Sequence, residues 1–144
     1  MYKRQLLESA EVLKIDGEVS PEHINEAADR IRANGLWPTT VIMSPSMSMK
    51  LIADCIVLPP WDLKFRGVEY GPRFSGEIGS LKVFRSEAVG NYVIVYAKDY
   101  IWLMKTPLHL KFDSQDHRCL QVNLVCSIAV EEPESVLTVC SKKC

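Results

Sequence analysis

The side chains able to do chemistry gather in a few places. Asp113, Ser114, Asp116 and His117 fall in one short polar stretch between apolar runs. A carboxylate, a hydroxyl and an imidazole are the parts of a nucleophilic or acid–base site, but such a site needs them to converge from separate elements in a water-limited pocket. On a single hairpin tip they are turn residues, so no catalytic residue is assigned. Ser44 lies where an apolar run meets a helix-like stretch, the setting of a nucleophile elbow, yet the glycines of that motif are missing around it. With Pro45 behind it, Ser44 reads instead as a helix cap. Glu131 and Glu132 would point to opposite sides of an extended chain, and Pro133 follows, so they make no acid–base pair.

The metal ligands on offer are His117, Cys119 and the tail cysteines Cys140 and Cys144. Their spacing lacks the tight, paired pattern of zinc frameworks. The expectation is no metal and no cofactor, with a small metal- or ligand-binding module using the tail cysteines and His117 as the alternative. The five cysteines are an odd number, and without a secretory signal they are expected as reduced thiols that pack like small apolar side chains. Arg66 and Arg73 flank Tyr70 and Phe74 in the glycine-rich stretch 61–79, a pairing of guanidinium and ring suited to a phosphate or to a neighbouring subunit. No glycine-rich phosphate loop follows a strand, and no metal-spaced histidine pair lies on a helix.

Certain elements must position these residues. The 144-residue chain has one domain's length, and 47% hydrophobic with 24% charged residues is an ordinary globular balance. A formal net charge of −1 gives no case for sequence-specific nucleic-acid binding. No run is apolar for long enough to cross a bilayer, and the start carries no signal-peptide core, so a cytoplasmic protein is expected. The densest strand signal lies in 91–130. Tyr92–Tyr96, Tyr100–Met104, Leu108–Phe112 and Cys119–Val130 are rich in Val, Ile, Tyr and Trp, and are expected to form antiparallel hairpins. Lys98-Asp99 is a tight turn, Thr106-Pro107 a break and Asp113–His117 a polar loop.

Ahead of this block, Tyr2–Ile15 puts Leu6, Leu7, Ala10 and Leu13 on one helical face, with Gly17 as a stop. Ser20-Pro21 opens a second helix whose buried stripe is Ile24, Ala27, Ala28 and Ile31, and Asn34-Gly35 ends it. His23 is taken as a solvated residue on its first turn. Thr40–Met43 is a short buried strand, and Ser44-Pro45 opens a third helix through about Ala53. Trp61–Gly79 is expected as a long loop, with a hairpin inside it as the alternative, the kind of segment that carries function. A strand over SLKVF follows it, and Ser135–Val139 is a last strand beyond an acidic break.

The order of these elements resembles the C-terminal part of tailed-bacteriophage major capsid proteins and the related encapsulin shells. The matching residues are Gly35, Pro38 and Thr39; Met43, Ser44 and Pro45; Gly79, Val83 and Ser86; Val93–Tyr96; Phe112, Asp113 and Gln115; and Pro133, Glu134 and Val136. The likeness covers roughly 20–139. It implies an α+β, phage-capsid-like shell fold: a mixed sheet, about three helices and a long antiparallel hairpin. It further implies a helical lead-in over 1–34, an axial-type subdomain over 35–100, a peripheral-type hairpin returning to the sheet over 101–139, and a tail over 140–144. The N-terminal arm and long hairpin that family members use to clasp neighbours have no counterpart ahead of residue 20, which leaves a remnant prophage gene, a split capsid or a domesticated domain.

The function so implied is that of a structural, non-enzymatic virion or shell protein. Its partners are further copies of itself or a complementary capsid chain. Arg66, Tyr70, Arg73, Phe74, Asp113, Gln115 and His117 are the expected contact residues. The site of action is the host cytoplasm, or the shell once assembled.

Overall fold

The computed structural model describes residues 11–54, 57–59, 61, 73–105, 109–112, 120–123 and 126–141. The strands are β1 (Glu11–Ile15), β2 (Thr40–Met43), β3 (Phe74–Ile78), β4 (Leu81–Arg85), β5 (Tyr92–Tyr96), β6 (Ile101–Lys105), β7 (His109–Phe112), β8 (Leu120–Asn123), β9 (Cys126–Val130) and β10 (Val136–Ser141). The helices are α1 (Pro21–Ala33) and α2 (Pro45–Ala53). Single 3-10 turns sit at Glu87–Val89, Lys98–Tyr100 and Pro133–Ser135. The architecture is α+β and built on a mixed, six-stranded sheet of order β1-β10-β5-β2-β4-β3.

Both helices start where the sequence places them. Ser44 Oγ accepts the amide of Met47 at 3.3 Å, so its hydroxyl is a cap. At α1, His23 is bound into the cap, because its Nδ1 accepts the Ser20 amide at 3.1 Å and lies 2.9 Å from the Ser20 hydroxyl. The ring that the sequence suggested was merely solvated closes the first turn of the helix, filling the place an acidic or amide side chain takes in a capping box.

Strand alternation sorts the sheet into two faces. Leu13, Val41, Val83, Val93, Val95, Leu137 and Val139 form one buried layer with Ile24, Ala27, Ala28 and Ile31 of α1 and Leu51 of α2. Ile24 and Ile31 are almost fully buried, each worth about 2–3 kcal/mol of apolar transfer. The Ser48 and Ser75 hydroxyls hydrogen-bond in the interior and tie α2 to β3. The opposite face gathers a smaller cluster, in which Val89, Ile94 and Val136 are buried against Ile42, Tyr92, Tyr96, Ile101, Ile128 and Val130.

Several expectations change. Residues 11–15 are a strand, not the end of a helix, because Leu13 and Ile15 turn into the core while Val12 and Lys14 point away. β1 runs parallel to β10, pairing Glu11 with Leu137 and Ile15 with Ser141. The helix count among the described residues is therefore two rather than three; residues 1–10, where that first helix was also expected, lie outside them. The stretch 119–130 is split between two ladders, β7 with β8 and β6 with β9. Tyr92–Tyr96 does not form a hairpin with the strand after it, for the 3-10 turn at Lys98–Tyr100 sends β6 out of the main sheet. The expected loop 61–79 contains β3, an edge strand paired antiparallel with β4.

β3 owes its course to Gly76. Leu58 and Glu77 exchange backbone hydrogen bonds at 2.8 and 3.1 Å, and Gly76 lies beside them at φ +144 with a register shift between Phe74 and Gly76. A Cβ there would stand 1.8 Å from the Leu58 carbonyl oxygen. Gly79, at φ +57, faces open space. Gly76→Ala is expected to cost about 3 kcal/mol or more, against about 1 kcal/mol for Gly79→Ala from its left-handed backbone alone. Urea unfolding midpoints of the two variants check the contrast.

Candidate functional site: a cleft and an exposed ribbon

The face of the sheet away from α1 and α2 is roofed along part of its length by the β6–β9 ribbon. Register places Ile101, Leu103, Ile128 and Val130 on the inner side of that ribbon, where Ile101, Ile128 and Val130 join the second cluster. A cleft of about 920 Å³ remains between ribbon and sheet, within the size range of ligand pockets. Ile42, Phe84, Val89 and Ile94 line its apolar part, and among the described lining residues Arg73, Lys82, Arg85 and Lys98 bring cations to it against the one carboxylate of Asp99.

Tyr96 also lines this cleft. Burial disfavours its phenolate and raises its pKa above the ordinary 10, an effect that a hydrogen bond with Thr40 partly offsets. The ring is therefore a neutral, amphipathic wall, with no role as a base at physiological pH.

The outer side of the ribbon is apolar and wet. Trp102 and Met104 are 59% and 54% exposed, and Leu103 between them, at the open mouth of the cleft, is 55% exposed. The Trp102 indole donates to Glu131 Oε2 at 3.0 Å, which anchors the ring's polar edge and leaves its faces open. Three consecutive large apolar side chains in solvent are uncommon on a protein that stays alone.

The residues expected to make contacts fall out unevenly. Arg73 is exposed at the start of β3. Phe74 is 6% exposed and packs edge-to-face on Phe84 with ring centroids 5.6 Å apart, so its ring is committed to this chain's own core rather than offered to a neighbour. Arg66, Tyr70, Asp113, Gln115 and His117 lie outside the described residues. For the metal alternative, His117, Cys119 and Cys144 also lie outside them, Cys140 is a half-buried free thiol on β10, and no group of three or more His, Cys, Asp or Glu able to hold a metal occurs among the described residues. The sequence reading missed Trp102–Met104 as a surface; the signal was three apolar residues in a row, which a strand in solvent cannot bury on one side.

No protein-family model and no curated protein sequence matches the chain. Solved structures do. A holo encapsulin complex from Synechococcus elongatus matches over 90% of this chain at 15% identity with a TM-score of 0.61. A virus-like particle from Pyrococcus furiosus matches over 95% at 17% identity and 0.61, and a chain of Mycobacterium phage Ogopogo over 94% at 14% identity and 0.56. The present chain spans 52%, 58% and 55% of those chains, respectively, little more than half. The fold is thus the capsid- and encapsulin-like shell fold. No helix among the described residues is long and apolar enough to cross a membrane.

Because the folded-state pKa of Tyr96 lies above its unfolded value, its neutral form stabilises the fold fully below about pH 10, and that stability is lost as pH rises beyond it. Denaturation midpoints taken from pH 9 upward should fall, and Tyr96→Phe should flatten the fall.

Proposed function

We propose that this chain is a non-enzymatic structural subunit of a protein shell, working through contacts between its own copies or with a complementary chain. The observation that carries the reading is the exposed run Trp102-Leu103-Met104 on a two-stranded ribbon. A lone ribbon of this size is marginal in water, and covering its outer side against a neighbour would stabilise ribbon and assembly together. The shell fold supports the same reading, since encapsulin and virus-like-particle structures share it.

Descent from a virus or prophage, action in the host cytoplasm and residence in an assembled shell belong to this proposal. So does the division into an axial-type unit over 35–100 and a peripheral-type unit over 101–139, with Arg66, Tyr70, Asp113, Gln115 and His117 as further contact residues. Individually modest contacts suffice in such an assembly because symmetry repeats them.

Light scattering and negative-stain microscopy of the purified chain are expected to reveal particles or oligomers. Replacing Trp102 and Met104 together by Ser should weaken association by about tenfold or more, with the far-UV circular dichroism spectrum retained. A wild-type chain that stays strictly monomeric at high concentration would refute assembly from its own copies.

A further inference from the structure

The second feature of the cleft is where its arginines stand along the strands. Arg85 pairs with Met43 at one end of β2, whereas Thr40 at the other end pairs with Tyr96, which in turn pairs with Val136. Arg73 sits beside Arg85, whose amide donates to the Arg73 carbonyl at 3.0 Å. The two guanidinium groups therefore mark one end of the sheet, while the other cations of the cleft, Lys82 and Lys98, stand at the Thr40 end with the Asp99 carboxylate, Lys82 pairing with Thr40 and the Lys98 amide donating to Thr39 Oγ1 at 3.1 Å. The turn that leads into β10 marks the other, and it carries Glu132 and Glu134 on either side of Pro133, all exposed.

That turn is held firmly. The Glu131 amide donates to the Tyr100 carbonyl and the Ala97 amide to the Ser135 carbonyl, both at 2.9 Å. Three strand spacings and about three residues of rise separate it from Arg85, roughly 15–20 Å, too far for an ion pair within one copy. Among the described residues, none of Arg73, Arg85, Glu132 and Glu134 has an ion-pair partner. Among the described residues that line the cleft, the one carboxylate, Asp99, lies at the other end, and the exposed Glu87, two residues beyond Arg85, is not part of the lining.

We infer that the acidic turn Glu132-Pro133-Glu134 of one copy docks at the arginine end of the cleft of a second copy. This rests on the shell-subunit reading and adds which surfaces meet. The two patches are different surfaces at opposite ends of the same sheet, so the contact is head-to-tail. A heterologous contact of this kind builds closed rings or continues into larger arrays, rather than stopping at a two-fold dimer. Charge selects the register, and Pro133 brings an apolar, hydrogen-bond-poor surface toward the apolar lining near Val89 and Phe84.

Charge reversal tests the pairing. One variant carries Glu132→Lys with Glu134→Lys, the other Arg73→Glu with Arg85→Glu; every position is exposed, and circular dichroism checks that each is folded. Each variant alone should lose assembly by about tenfold or more, because like charges then meet. Their equimolar mixture should assemble again, since each copy then finds its complement in the other. Wild-type association should also weaken between about 50 and 500 mM salt as the charges are screened. If wild type assembles and either variant alone does so equally well, or the folded mixture stays unassembled, the docking is overturned while the shell reading stands. If wild type never assembles, the docking falls together with assembly from like copies.

Discussion

A six-stranded sheet has two faces to bury, and the described chain supplies helices to only one of them. The capped, amphipathic α1 lies on β10 and β5 and the shorter α2 on β4, and together they complete a core of Val, Ile, Leu and Ala from which water is excluded. On the other face, the described chain has only the β6–β9 ribbon to offer, and the ribbon covers part of it. The cleft, its cations and the apolar outer side of the ribbon all follow from that shortage of cover.

The sheet is closed by its last strand. β10 enters between β1 and β5, pairing Thr138 with Ile94 on one side and with Val12 on the other, so in the β1–β10 ladder residues more than a hundred positions apart are brought side by side. Ordering so long a loop has an entropic cost, offset by burying Val136, Leu137 and Val139 almost completely. The same insertion carries the acidic turn to the end of the sheet and clamps it there. Core formation and the placement of a candidate contact surface are thus one event. The turn is thereby as rigid as the core strand beside it.

Short-range chemistry was plain in the residues. Ser20-Pro21 and Ser44-Pro45 announced α1 and α2, Asn34-Gly35 the end of α1, and the buried stripe of α1 emerged as read. The shell-like fold was legible too, through the order of short motifs rather than any one of them. Other features depended on distant partners. Val12-Leu13-Lys14-Ile15 suits a helical stripe and an alternating strand about equally, and the parallel edge of β10 settled it. Cys119–Val130 looked continuous because nothing local says that its two halves pair with different strands. Phe74 stood among glycines and arginines like a loop aromatic, and only the facing ring of Phe84 makes it core.

Residue types and their spacing were thus enough for α1 and α2, most of the strands and the likeness to a shell fold. Capping, turn and alternation rules act over a few residues, and those few residues carry all their information. The tertiary structure alone decided which strands are neighbours, that Gly76 must let the Leu58 carbonyl pass, which apolar side chains remain in water, and that arginines and glutamates stand at opposite ends of one face. These properties belong to pairs of segments far apart in the chain, and the free energy of burying one against the other is written in neither segment by itself.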